Sequence, residues 1–374
     1  MQSVPQAAVA AIARGAADGA PAQWETGLPQ DALTASGASA APALAFAFGP
    51  FGADRLFSPD DMNRLHSLCR IRESEPLRTL SDGKGRALLS DAEILVTGWG
   101  CQRIDAAVLD EARHLRLIAH AAGSVKQLVT PEVFERGILV TNAADANAVP
   151  VAEFTLAAIL FANKHVFRFR RDYARDRAFM GVPENFNGGA GNWRKRVGIV
   201  GASRIGRRVI ELLRPHSLDI LLHDPFVDEA EAERLGVTQV TLAELMGACD
   251  TVSIHAPLLP ATRGMIDAAM LARMPDGATI INTARGGLIE AAALEAELTS
   301  GRLWAILDVT EPETLPASSP LYTLENVLLT PHIAGAIGTE RQRLGALITD
   351  EIERYRRGEP LRHSLTIDRL AHQA

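Results

Sequence analysis

Three cysteines in 374 residues, Cys69, Cys101 and Cys249, are too few and too far apart to frame a disulfide-stapled fold, and they show neither CxxC nor a Cys/His spacing for zinc. This shortage excludes a disulfide scaffold, leaves no metal site to expect and fits a reducing, cytoplasmic compartment. Positive charge is short as well: 38 Lys and Arg against 45 Asp and Glu give a formal net charge of −7. No broad basic field is on offer to nucleic acid or to an anionic membrane, so the expected partner is a small molecule. No uninterrupted apolar run approaches the roughly 20 residues of a membrane-spanning helix. Residues 1–42, rich in Ala, Gly and Pro, lack the basic segment and Leu-rich core of a cleaved signal peptide and read as a flexible extension.

What is present is length and apolar content. A chain of 374 residues that is 47% hydrophobic can bury two sizeable cores, so two domains are expected. From Ala43 onward short apolar segments, "ALAFAF", "AEILVTG", "LRLIAHAAG" and "GILVTN", alternate with helical ones such as "SPDDMNRL", which Ser58 would cap with Pro59 in its first turn. The alternation predicts a parallel sheet. A long helical pattern runs from Val149 to Arg177, and the turn-rich "GVPENFNGGAGN" after it marks the entrance to a second series. That series has six strands, "RVGIVG", "DILLHD", "DTVSIHA", "ATIINTA", "AILDV" and "NVLLTP", in an order that suits a doubly wound nucleotide-binding sheet. The stretch after His332 has room to return to the first domain.

A glycine is missing from the most informative stretch. "VGIVGASRIG" follows an apolar strand and opens a helix, as a dinucleotide-binding turn does, but Ser203 stands where a third glycine is usual between Gly201 and Gly206. Free N–H groups at the helix start can still hold a pyrophosphate. Asp224 ends the next strand, where a carboxylate can accept from the adenine ribose hydroxyls and repel a 2′-phosphate, which favours NAD over NADP. Three polar residues then fall at the ends of late strands: Arg285 in "INTARGG", Glu313 in "LDVTEPE" and His332 in "LLTPHIAGA". An imidazolium to protonate a forming alkoxide, a carboxylate to orient it and a guanidinium to bind a substrate carboxylate make up the set that carbonyl reduction requires.

These stretches, with "VSIHAPLLPATRGMID" and "MPDGATIINTARGGLIE", make the chain from Leu117 to about Leu361 resemble the D-isomer-specific 2-hydroxyacid dehydrogenases. The resemblance implies an α/β fold of two domains, a Rossmann doubly wound parallel sheet (149–332) inserted into a smaller flavodoxin-like substrate domain (43–148 and 333–374). It implies NAD as cofactor, a small 2-hydroxy or 2-keto acid as substrate and a homodimer joined through the segment after Val149. It makes His332 the acid/base, Glu313 its partner and Arg285 the substrate anchor. Glu311 competes for the partner's role; Glu313 is preferred because it lies five positions after Asp308 and 28 after Arg285, although Thr314 replaces the family's usual proline.

By the same resemblance Gly201, Ser203, Arg204, Ile205, Gly206, Asp224, His255, Pro257, Thr262, Thr283, Ala284, Asp308 and Gly335 hold the cofactor, Asp308 at the nicotinamide carboxamide. Ala122, Gly123 and Ser124 supply the loop that binds the substrate carboxylate, although the family often has an acid just after that glycine, where this chain has Ser124, Val125 and Lys126. Trp99, at the end of a first-domain strand, either bounds the pocket or packs between the domains. His120 and His223 are expected in structural roles. The alternatives are a NAD-sensing corepressor-like protein on the same fold and a formate dehydrogenase-like enzyme. A Glu-paired His argues against the second, because formate has no hydroxyl to deprotonate.

Overall fold

The computed structural model describes residues 41–177 and 189–368. Residues 1–40 of the extension expected over 1–42, and the turn-rich residues 181–188, lie outside the described residues. Among the described residues thirteen strands form two sheets. The first sheet takes β1 (Ala43–Ala47), β2 (Arg70–Ile71), β3 (Ile94–Thr97), β4 (Leu117–His120) and β5 (Leu139–Asn142). The second takes β6 (Arg196–Val200), β7 (Asp219–His223), β8 (Thr238–Gln239), β9 (Thr251–Ile254), β10 (Thr279–Asn282), β11 (Trp304–Leu307) and β12 (Val327–Leu329). The chain then returns to the first sheet as β13 (Ser364–Leu365), antiparallel to β5.

The strand order of the first sheet is β13-β5-β4-β3-β1-β2, and apart from β13 its pairings are parallel. That is the flavodoxin-like order with one antiparallel edge strand added. The second sheet, β12-β11-β10-β9-β6-β7-β8, is parallel throughout, and its strand order switches between β6 and β9, with β7 and β8 added on one side of β6 and β9 to β12 on the other. Such a switch point opens a crevice beyond the carboxyl ends of the strands, where ligands of open α/β sheets bind.

Both sheets are covered on both faces, which is why their strands read as continuous apolar runs. In β3, Ile94 and Val96 face one core while Leu95 faces the other. In β10 and β11, Ile281 and Ile306 pack beneath the linking helix Ala144–Asn163, whereas Ile280 and Leu307 meet the opposite layer. Ser58 caps the helix Pro59–Leu68 through the N–H of Asp61 at 3.1 Å, as its sequence predicts.

Three sequence expectations change here. The second sheet has a seventh strand, Thr238–Gln239, too short and too exposed to leave an apolar signal. The long helical pattern divides into Ala144–Asn163 and Val166–Asp176 at His165, whose backbone is left-handed (φ 55°). No apolar run of membrane-spanning length was expected, yet Ala144–Asn163 is long and apolar enough by length and composition to cross a membrane. The charges of Asp145 and Glu153 interrupt that run, and its buried side chains pack in the core against the helix Arg204–Leu213.

Candidate active site

The glycine-rich turn joins β6 to the helix Arg204–Leu213. Gly201 has φ +97°, and a Cβ there would lie 2.6 Å from the backbone nitrogen of Ala256. A Cβ on Gly206 would lie 2.1 Å from the carbonyl oxygen of Gly201, so helix and strand approach as closely as backbone allows. Ser203 caps this helix: it is extended (φ −61°, ψ 176°), and its hydroxyl accepts from the N–H of Gly206 at 3.3 Å. Arg204 and Ile205 begin the helix, so their N–H groups have no acceptor within it. Asp224 accepts from Ala202 N at 2.6 Å and from Phe226 N at 2.8 Å, one bond on each oxygen, which leaves lone pairs for ribose hydroxyls.

His255 follows β9 beside this turn. It is buried, its pKa is pushed down to about 3 by loss of solvent, and its Nε2 meets Ser253 Oγ at 2.9 Å. Its Nδ1 is buried with no hydrogen-bond partner. An orphaned ring nitrogen next to a Cβ-free cradle is what a site shaped for a polar ligand contains. The residues present therefore fit a dinucleotide. In the loop after His255, the Thr262 hydroxyl donates to the Pro257 carbonyl at 2.6 Å and accepts from Leu259 N at 2.8 Å, so its observed work is to close that loop. Thr283 is buried against Thr155 of the linking helix at 3.0 Å.

The proton-transfer candidates stand beyond β10, β11 and β12. His332 Nδ1 lies 2.5 Å from Glu313 Oε1, and both side chains are about half exposed. Glu311 turns elsewhere, onto Arg263 at 3.1 Å. Arg285 donates from Nη1 to the Ala284 carbonyl at 2.6 Å while Asn282 holds its own carbonyl at 2.9 Å. Burial lowers the guanidinium's pKa and the nearby charge of Glu313 opposes the shift; an arginine remains charged through such a change. The glycines after it permit the close packing, since a Cβ on Gly286 would sit 2.0 Å from the Thr310 carbonyl carbon.

Asp308 does something that its sequence context does not announce. It is 2% exposed, and its carboxylate accepts from Thr330 Oγ1 at 2.6 Å, Ile333 N at 2.8 Å and Ala334 N at 2.8 Å. Its carbonyl also accepts from His332 N at 3.0 Å. These bonds clamp the strap 330–334 and hold His332 in a left-handed conformation (φ 55°), which a non-glycine residue keeps only when its surroundings impose it. Thr330 is thus a functional candidate that sequence reasoning missed.

On the first sheet, the Ala122–Ser124 loop follows β4. Ala122 is buried, the Gly123 carbonyl accepts from Asn142 Nδ2 at 2.7 Å, and Ser124 Oγ accepts from Lys126 N at 3.4 Å. Trp99, 37% exposed after β3, fixes its backbone to Gly49. His120 is buried with Nδ1 2.9 Å from Thr97 Oγ1, and burial drives its pKa down to about 4. His223 Nδ1 lies 3.2 Å from the Val240 carbonyl. Asn147, also missed, joins the two sheets at the site: it accepts from Ala336 N at 3.0 Å, lies against Gly335 and approaches Gly123. A Cβ on Gly123 would be 3.6 Å from Asn147 Nδ2. Among the described residues no group of His, Cys, Asp and Glu is gathered for a metal ion.

Residues 156–334 match the family described as D-isomer specific 2-hydroxyacid dehydrogenase, NAD binding domain. A glyoxylate reductase of Korarchaeum cryptofilum is 33% identical over 257 residues, 68% of this chain and 77% of that protein. A D-3-phosphoglycerate dehydrogenase of Methanocaldococcus jannaschii is 33% identical over 278 residues, 72% of this chain. The chain spans about half the length of the curated D-3-phosphoglycerate dehydrogenases it matches. Among solved structures, a Thermus thermophilus protein superposes with a TM-score of 0.69 at 29% identity, over 86% of this chain and all of that one.

Proposed function

Because the chain belongs to the D-isomer-specific 2-hydroxyacid dehydrogenase family, we propose that it transfers hydride between NAD(H) and a small D-2-hydroxy acid or its 2-keto acid, in the crevice beyond the second sheet. The observation that carries this reading is the 2.5 Å contact of His332 Nδ1 with Glu313 Oε1. With Nδ1 held there, Nε2 is the nitrogen left to exchange a proton with the substrate oxygen. NAD(H), when bound, supplies or accepts the hydride. In the reducing direction His332 gives its proton to the oxygen as alkoxide develops, and Glu313 keeps the imidazole oriented. Arg285 binds the substrate carboxylate with the donors not spent on Ala284.

The cofactor's grip falls to Gly201–Gly206, its ribose to Asp224, and its remaining contacts to His255, Pro257, Thr283, Ala284, Asp308 and Gly335. The N–H groups of Ala122–Ser124 receive the substrate carboxylate opposite Arg285, with Trp99 bounding the pocket. Residues 43–148 and 333–374 would then form the substrate domain and 149–332 the cofactor domain. A homodimer through the segment after Val149 is supported by the helix Val166–Asp176, which has no buried residue, and by exposed Phe161 and Tyr173. A cytoplasmic location accords with three free cysteines, two of them buried with thiol pKa pushed up to about 12 by desolvation.

The test is a screen of NADH oxidation against glyoxylate, hydroxypyruvate, pyruvate and phosphohydroxypyruvate, run beside NADH binding by fluorescence. Turnover of a 2-keto acid supports the reading. NADH binding without turnover favours a sensor on the same fold, and absence of both removes the cofactor assignment.

A further inference from the structure

We propose that Asp145 and His363 are positioning residues for the cofactor turn: they hold the Arg204 guanidinium by its Nε and so leave its Nη groups for a dinucleotide's phosphates. This rests on the reading that NAD(H) binds at Gly201–Gly206. Arg204 is the first residue of the helix that leaves the turn, and Asp145 lies in the first turn of the linking helix. Arg204 Nε is ion-paired with one Asp145 oxygen, Oδ1. The other oxygen, Oδ2, lies 2.8 Å from His363 Nδ1. Among the described residues Asp145 is the sole side-chain partner of the Arg204 guanidinium, and Nε is the nitrogen nearest to it.

His363 is itself anchored. Its N–H donates to Glu351 Oε2 at 3.0 Å, and its carbonyl accepts from Thr141 Oγ1 at 3.1 Å. Glu351 is 1% exposed and also accepts from Thr141 Oγ1 at 2.9 Å and from Arg362 N at 3.1 Å. A continuous series of polar contacts thus runs from a buried carboxylate behind the first sheet, through His363 and Asp145, to the turn of the second. Arg204, Asp145 and His363 are 49%, 43% and 25% exposed, so each pair by itself contributes little to stability. What the series supplies is orientation. A guanidinium is a planar fork, and fixing Nε sets the plane in which both Nη groups donate, which lowers the ordering cost when an anion arrives.

The charged groups facing His363 are Asp145 from the linking helix, Glu351 from the helix Arg341–Arg356 and, beyond Asp145, Arg204. The His363 ring thus fixes the Asp145 carboxylate through Oδ2, the oxygen that Arg204 Nε does not use.

The experiment is NADH binding to the whole chain by fluorescence titration. Circular dichroism shows whether each variant folds. Arg204→Ala is expected to weaken binding about tenfold, the scale of one charge-assisted contact. Asp145→Asn is expected to weaken it by about three- to tenfold in the wild-type background and to add little in the Arg204→Ala background, as coupled residues do. His363→Ala, which removes the contact on Asp145 Oδ2, is expected to weaken binding about threefold in the wild-type background and to add little in the Arg204→Ala background, while His363→Asn, which keeps a donor, restores affinity. Tighter binding by Asp145→Asn would make that carboxylate a competitor of the phosphates and overturn the proposal. So would additive losses in the double variant, or equal affinities in His363→Ala and the wild type. If the wild type binds NADH and Arg204→Ala binds it equally well, only this inference fails; if the wild type does not bind NADH, the cofactor reading fails with it.

Discussion

The two sheets end in different kinds of edge. Beyond β3, β4 and β5 the polar side chains turn inward: Thr97 onto His120, Asn142 onto the Gly123 carbonyl, Thr141 onto Glu351, all of them buried. Beyond β7, β10, β11 and β12 stand Asp224, Arg285, Glu313 and His332, partly exposed, with Asp308 buried beneath the strap. One edge spends its side chains on holding a loop still; the other presents charge. In the proposed reaction the first sheet needs only the backbone N–H groups of Ala122–Ser124, which explains why Ser124 and Lys126 can stand there without disturbing the charged set on the second.

The sharpest way to break this contrast is on the charged edge. His332→Asn removes the proton donor and should lower reduction by about two to four orders of magnitude, the scale of a lost general acid, with NADH affinity unchanged. Retained turnover would remove His332 from the mechanism. Thr330→Val is the next step down. It deletes the 2.6 Å bond to Asp308 while keeping the shape, so the strap loosens around His332. We expect kcat to fall about tenfold with KM for the keto acid and Kd for NADH little changed, the pattern of a misplaced group rather than a lost one. Equal kinetics in wild type and variant would show that the backbone bonds to Asp308 suffice.

Much of this edge was legible in the sequence, because buried parallel strands are short apolar runs and the residues just past their carboxyl ends must face the crevice. That logic brought Arg285, Glu313 and His332 together and found both sheets. It failed for Arg70–Ile71, Thr238–Gln239 and Ser364–Leu365, two-residue edge strands that owe their pairing to their neighbours' register rather than to their own composition. Strand-end position alone does not separate Glu311 from Glu313, and the preference for Glu313 came from the family's spacing; in the structure the turn sends Glu311 to Arg263 and Glu313 to His332. Nor does linear order show that Asn147 meets Ala336, or Asp145 meets His363, contacts made across 189 and 218 positions.

A third prediction tests the quiet edge. His120 is held neutral by burial, its pKa near 4 in the fold against an ordinary value of 6.5, and His255 is lower still at about 3. For groups depressed in this way the unfolded chain binds the extra proton, so their contribution to stability is complete above pH 6.5 and is lost as pH falls toward the folded values. The urea midpoint should therefore drop between neutral pH and about pH 5, and it should drop less in His120→Gln, which cannot titrate. An identical pH slope in the two proteins would mean that His120 is not excluded from solvent, and the contrast with half-exposed His332 would dissolve.

The smallest effect is expected at Ser203, where the glycine fingerprint is broken. Its backbone is extended, a conformation open to any residue, so nothing about the turn itself demands glycine there. The hydroxyl accepts from Gly206 N at 3.3 Å, which removes one helix-start donor from the turn, but its own proton remains to be given to a phosphate oxygen. Ser203→Gly returns the Gly206 N–H and takes away the hydroxyl, a nearly balanced exchange. It should cost the helix a few tenths of a kcal/mol as a lost cap and leave Kd for NADH within about threefold. A much larger loss of affinity, measured by the same fluorescence titration, would make Ser203 a direct ligand. The second sheet would then be using a side chain at a position where the glycine fingerprint relies on backbone, and its charged edge would extend back to the cofactor turn.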